Sequence, residues 1–322
     1  MTSVSFSRFL YCDTNILSHL AKHPELWPRV AEYLFAHDLT LAVGTQVAEL
    51  SDVDRLHKPL SSLLTAVPAA IIKQWDVVLS EEVSAHPGPR RDALLAYPLN
   101  ALLWQDGGPE QLEQFLSSDG LREARRGQLA SASQLAARHA DLKSNFPPSP
   151  DGSYTRAQAP VFAWTQTIQW LAENHPAFLQ QFQANVSEFN DRTFRSVRLF
   201  ALVIFYKYYL GRRDPRRTSD FGDLGHLFAI PYCTVAIMER DLASVLRQIK
   251  RHDDVLQSTT IYDIGFFDSW PAPRSRRLAA QASRDPGRRG APQRGSARSW
   301  AVDVPVSHVS ARAPSAGRPL RE

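Results

Sequence analysis

Cysteine and methionine are the rarest residues of this sequence, two of each in 322. Two cysteines cannot lay down a disulfide framework, so the chain reads as a reduced protein with a cytoplasmic location expected. No apolar run reaches the roughly 18 residues a membrane span requires. The longest candidate, Leu199 to Tyr209, is short and contains Lys207. The opening residues lack a basic stretch leading into an apolar one and a small-residue cleavage site, so no secretory signal is expected. No repeat of fixed period is present, which removes the solenoid architectures. Basic charge is also scarce where it would matter. The chain carries a net charge of +4, but Pro271–Glu322 holds eleven arginines, no lysine and three acids, a surplus of eight. The remaining 270 residues therefore carry −4, and the pI near 9.1 belongs to the tail.

What is present is strand–helix alternation at both ends of the folded part. Arg8 to Cys12 is a short apolar, aromatic run that stops at Asp13, and Thr14 to Ala21 continues with helical spacing. Pro24 to His37 reads as a second helix, Leu39 to Val43 as a strand, and Thr45 as the N-cap of a helix holding Val47, Glu49 and Leu50. Between Ser51 and Arg217 amphipathic helical stretches alternate with Pro/Gly breaks. Strand signals there are confined to Ala70–Ile72 and Asp76–Leu79, so the segment 53–216 is expected to be a helical insertion. Alternation resumes with a helix over Asp220–Ala229, a strand over Thr234–Met238, a helix over Leu242–Arg251 and a strand over Thr259–Tyr262. From Pro271 onward the Arg, Ala, Pro, Gly and Ser content is that of a disordered tail.

Such alternation predicts a parallel sheet with crossover helices, and sites in these sheets form beyond the carboxyl ends of the strands. Asp13 follows the first strand, Glu49 lies a turn after the second, and Asp241 follows the strand over 234–238. Asp223 joins them if the first turns of its helix point that way. Asp220, one turn before Asp223 on the same face, is counted as a fifth carboxylate. Hard divalent cations such as Mg²⁺ and Mn²⁺ prefer oxygen donors, and one or two carboxylates with water and phosphate complete their shell. These carboxyl groups are therefore expected to converge within roughly 10 Å.

The pattern resembles the PIN-domain nuclease family at residues 8–52 and 217–263. Phe9-Leu10-Tyr11-Cys12-Asp13-Thr14-Asn15-Ile16-Leu17 looks like the family's apolar strand ending in D-T-N. Val47-Ala48-Glu49-Leu50 is similar to its second acidic motif. Asp223-Leu224-Gly225-His226 through Glu239-Arg240-Asp241 resembles its closing half. The resemblance implies a three-layer α/β/α PIN-like domain, discontinuous over 1–52 and 217–270. It also implies a Mg²⁺- or Mn²⁺-dependent ribonuclease, of the endoribonuclease kind, with RNA as substrate. Asp13, Glu49, Asp223 and Asp241 would be its catalytic carboxylates, with Asn15 orienting the Asp13 region. Glu239 departs from the family, standing where a hydroxyl residue is common, and about 170 residues separate Glu49 from Asp223, far more than in small toxin-type members.

Each residue also has a plainer reading. Asp13 and Asp241 are natural helix caps, Asp220 is an acid favoured at a helix N-terminus, and His226 suits a packed position better than a ligand. Cys12 and Cys233 read as core fillers. Arg212, Arg213, Arg216 and Arg217 suit a solvated loop, or phosphate binding beside the acids. Lys207 with Tyr206, Tyr208 and Tyr209 offers stacking surface only if those rings leave the core. A non-catalytic scaffold binding nucleic acid or protein, with the insertion as a contact for a protein partner or a homo-oligomer, is the alternative function. A doubly wound phosphatase would require a D-x-D pair and a downstream Lys; here the pair is D-x-N and no Lys lies near the closing acids.

Overall fold

The computed structural model describes residues 8–44, 46–51, 54–99, 108–123, 125–127, 130, 133, 137, 146–183, 185–211, 224, 225 and 227–269. They belong to a compact unit over Met1–Pro273. Strands β1 (Phe9–Cys12), β2 (Thr40–Val43), β3 (Ala69–Ile72), β4 (Leu95–Pro98), β5 (Val235–Met238) and β6 (Thr260–Asp263) form one six-stranded sheet in the order β4-β3-β2-β1-β5-β6. All pairings are parallel except β3 with β4. The central strands β1, β2 and β5 are buried along their whole length, as expected where helices cover both faces.

Side-chain alternation divides the core in two. Leu10 and Cys12 of β1, Leu41 and Val43 of β2, and Val235 and Ile237 of β5 pack on one face. There they meet α1 (Thr14–Lys22), α2 (Trp27–Ala36), α3 (Gln46–Ser51) and α4 (Asp54–Ala66). Phe9, Tyr11, Ala42, Ala236 and Met238 point the other way. That second face is covered by α5 (Trp75–Ala85), while α6 (Gly108–Leu116) joins the first layer through Leu112 and Leu116. Also on the second face are α7 (Ala159–Asn174), the short α8 (Pro176–Gln180), α9 (Arg195–Ile204) and α10 (Arg240–His252); the last helix, α11 (Gly265–Ser269), brings Phe267 to the first face. The sheet with helices on both faces is the α/β architecture expected.

Three expectations are corrected. Asp76–Leu79 is not a strand but the start of α5, where Val78 and Leu79 are buried and Val77 is 42% exposed, a helical rather than alternating pattern. Leu95–Pro98, which carried no strand signal, pairs antiparallel with β3. The segment 53–216 is not a helical insertion apart from the sheet, because it supplies β3, β4 and α9 to the same sheet and cores. The expected helices over 121–143 and 220–229 fall largely outside the described residues, although Leu227–Tyr232 is a 3₁₀ turn. The tail beyond residue 269 also lies outside them.

Helix α9 carries the longest apolar run of the sequence, and Ser196 to Ile204 are all buried, so that run is core and not a membrane span. No described helix is long and apolar enough to cross a membrane. The helix continues as a single π-helical stretch, Phe205–Leu210, into Gly211. π turns inside helices widen the backbone and cluster at functional sites. Here the widening brings Gly211 so close that a Cβ would lie 2.6 Å from the Lys207 carbonyl oxygen and 3.0 Å from that of Tyr206. These are backbone atoms that cannot rotate away. Gly211→Ala is therefore expected to cost about 1–3 kcal/mol, read as a lower urea midpoint with unchanged m-value.

Candidate functional site

Asp13 is the first residue past β1, and its backbone N–H still donates to Ile237 O of β5 at 3.2 Å. The chain then enters α1 with Asp13 as N-cap, φ −69° and ψ 171°. One carboxylate oxygen, Oδ1, accepts from Ile16 N at 2.7 Å, satisfying a donor at the open end of α1. The other, Oδ2, accepts from Glu239 N at 2.8 Å. Glu239 is the N-cap residue of α10, so one carboxylate ties together the start of two helices and the ends of two neighbouring strands.

The residues after Asp13 complete a short polar chain along this edge. Thr14 Oγ1 donates to Glu49 Oε2 at 3.2 Å, which fixes the half-buried Glu49 of α3 beside the start of α1. Asn15 Nδ2 donates to Glu239 Oε1. Asn15 thus reaches Asp13 indirectly, through the residue whose backbone Asp13 holds. Asp241 is exposed in the first turn of α10, where the helix presents its positive end. Asp13, Glu49 and Asp241 accordingly lie past the carboxyl ends of β1, β2 and β5, three adjacent strands. The connections from β1 and to β5 leave the sheet in opposite directions here, which is where open α/β sheets form crevices.

Among the described residues no group of three or more His, Cys, Asp or Glu side chains is arranged to hold a metal ion. Asp220, Asp223, His226 and the arginines 212, 213, 216 and 217 lie outside the described residues. Their flank is described. Arg198, one turn into α9, pairs with Asp253 at the far end of α10, so the two helices run antiparallel. The sixteen residues Arg195–Leu210 rise about 24 Å at 1.5 Å each, matching the length of α10. Gly211, the last described residue before the basic cluster, therefore stands at the level of the Asp241 end of α10. Tyr206, Tyr208 and Tyr209 are buried in the core and offer no stacking face, while Lys207 lies 5.5 Å from the centre of the Tyr208 ring.

Cys12 sits directly beneath Asp13. Complete burial, and then the Asp13 charge, push its thiol well above the usual cysteine range. It stays protonated and serves as core, as does Cys233. The sequence did not reveal that Glu239 would bind both Asn15 and Asp13; its only signal was the extra charge in the closing motif. No protein-family model, curated protein or solved structure matches this chain.

Proposed function

We propose that the chain is a divalent-metal-dependent nuclease of the PIN-domain kind that hydrolyses phosphodiester bonds, in RNA before DNA. The observation that carries this reading is the position of Asp13. A carboxylate at the switch point of the sheet is clamped from two sides by backbone N–H groups, with Glu49 one hydrogen-bonded residue away and Asp241 on the next strand's exit. The donor set is all oxygen, which suits Mg²⁺ or Mn²⁺ and not a soft metal. Asp13, Glu49 and Asp241, with Asp220 and Asp223 from the closing motif, would hold it. When bound, such an ion lowers the pKa of a coordinated water and offsets charge on the scissile phosphate.

The protein's own part is orientation. Two backbone donors leave the Asp13 carboxylate no freedom to rotate, Thr14 holds Glu49, and Asn15 keeps Glu239 turned toward α1. The open end of α10 adds fixed positive potential for an anionic substrate. The preference for RNA rests on the family resemblance alone. A scaffold without catalysis is the second reading. It is favoured by the absence of a three-ligand group among the described residues and by the engagement of both Asp13 oxygens with backbone.

Incubating the full chain with end-labelled single-stranded RNA separates the two. Cleavage is expected with Mn²⁺ or Mg²⁺ and not after EDTA. Retention of RNA with no cleavage under either metal would replace the nuclease reading with the scaffold.

A further inference from the structure

Away from the carboxyl edge, Glu82 of α5 is completely buried against the start of α9 and the 3₁₀ turn Leu227–Tyr232. Its Oε1 takes every contact. Ser196 N donates to it at 2.9 Å, Ser196 Oγ lies 2.9 Å away, and the Tyr232 hydroxyl makes a short hydrogen bond. Oε2 is buried with no hydrogen-bond partner. Phe194, the N-cap residue of α9, has no capping side chain, so Glu82 supplies that cap from another helix.

Counting protons decides the state of this carboxyl. Ser196 Oγ is also 3.0 Å from the Phe228 carbonyl oxygen. Within the 3₁₀ turn that carbonyl would pair with the N–H three residues on, but residue 231 is proline and has none. Ser196 has a single hydroxyl proton for two acceptors. If Glu82 is a carboxylate, one of the two is left without it, and a buried charge has one oxygen bare. If Glu82 is a carboxylic acid, its O–H donates to Ser196 Oγ, and the Ser196 hydroxyl donates onward to Phe228. Both needs are then met.

We propose that Glu82 is a proton-controlled latch. As a neutral acid it closes the chain Glu82–Ser196–Phe228 and fixes the base of the segment between α9 and β5. When it ionises the chain opens and the latch loosens. That segment includes the basic cluster and Asp220 and Asp223, so the latch sits at both roots of the stretch that carries them. It acts whether or not the chain is a nuclease.

The surrounding charges favour the acid only in part. Arg90 lies over the Tyr232 ring at 4.7 Å and favours the carboxylate, but its guanidinium is engaged by Glu81, which also binds Lys73. Arg195 lies over the other approach to that ring, 5.6 Å away, and is tied to Val255 O. Tyr232 is itself held protonated by burial and then by the Glu82 charge, so it remains a donor. Arg198 is consumed by Asp191 and Asp253. Burial outweighs these partners and raises the Glu82 carboxyl to about 7.

A carboxyl raised on folding stabilises the fold below its ordinary value and loses that contribution as pH climbs to its folded value. Between pH 4.5 and pH 7 or above, the folding constant is thus expected to fall roughly 300-fold through this group. Urea unfolding of the full chain from pH 5 to pH 8 should show the loss in wild type and not in Glu82→Gln, which keeps Oε1 as an acceptor without a titration. His86, one turn on and held neutral by burial, titrates in both proteins and cancels. Equal pH dependence in the two overturns the latch. Carbon NMR of glutamate carboxyls in wild type gives a reading that needs no variant: one resonance should titrate near 7, and titration of all of them below pH 5 overturns it too.

Discussion

Asp241→Asn should remove metal-dependent cleavage, at least about a hundredfold in rate, while leaving the fold intact. Asp241 is exposed, and its replacement costs at most about 1 kcal/mol of helix-end electrostatics. Asp13→Asn should cost the same activity and stability besides. Repulsion among clustered carboxylates alone would predict a stability gain. The geometry reverses that sign. Asparagine still caps α1 through its oxygen, but its amide then faces the Glu239 N–H, donor against donor. The expected loss is about 1–3 kcal/mol. Rates measured on single-stranded RNA with Mn²⁺, beside thermal melts of both variants, check the pair. Full activity in both would make these acids caps and nothing more.

Arg198→Met should be the most damaging single change to the fold, at about 3–5 kcal/mol. Arg198 is 2% exposed inside α9 and is bound by Asp191 and, in a bidentate grip, by Asp253. Removing it leaves the Asp253 carboxylate, whose side chain is only 8% exposed, with no opposing charge where water cannot reach it. Against a typical total of about 5–15 kcal/mol the loss is a large fraction. Urea titration measures it directly, and a midpoint within error of wild type would mean that water or another cation replaces the arginine. Asp253→Asn in the same background should recover part of the loss, because it withdraws the stranded charge.

How much of this was legible depends on where the information sits. β1, β2, β5 and β6 are short apolar runs ended by Asp, Gly or helix starts, and composition alone reveals them. Asp13 as a cap at the end of β1 follows from its place between an apolar run and a helical one. β4 was not legible, because Leu-Ala-Tyr-Pro carries no strand propensity beyond its tyrosine; the exposed edge of β3 makes it a strand. Asp76–Leu79 misled because two valines and a leucine favour a strand until tertiary packing selects one helical stripe. The grip of Glu239 on Asp13 and Asn15 joins residues more than 220 positions apart, and no local pattern encodes it. Nor could Glu82 be singled out among charges on an amphipathic helix, since its burial is decided by α9.

The antiparallel edge strand also bears on how copies of this protein meet one another. Leu99 N donates inward to Ala69 O, so alternation along the strand turns the N–H groups of residues 96 and 98 outward. Residue 98 is proline. Ala96 is then the one outward donor in the four residues of β4, and an incoming strand would find almost nothing to bind. Parallel sheets expose long unpaired ladders while they assemble, which invites growth into fibrils. Here the last strand added on that side is the one least able to template another, so sheet propagation stops at Pro98.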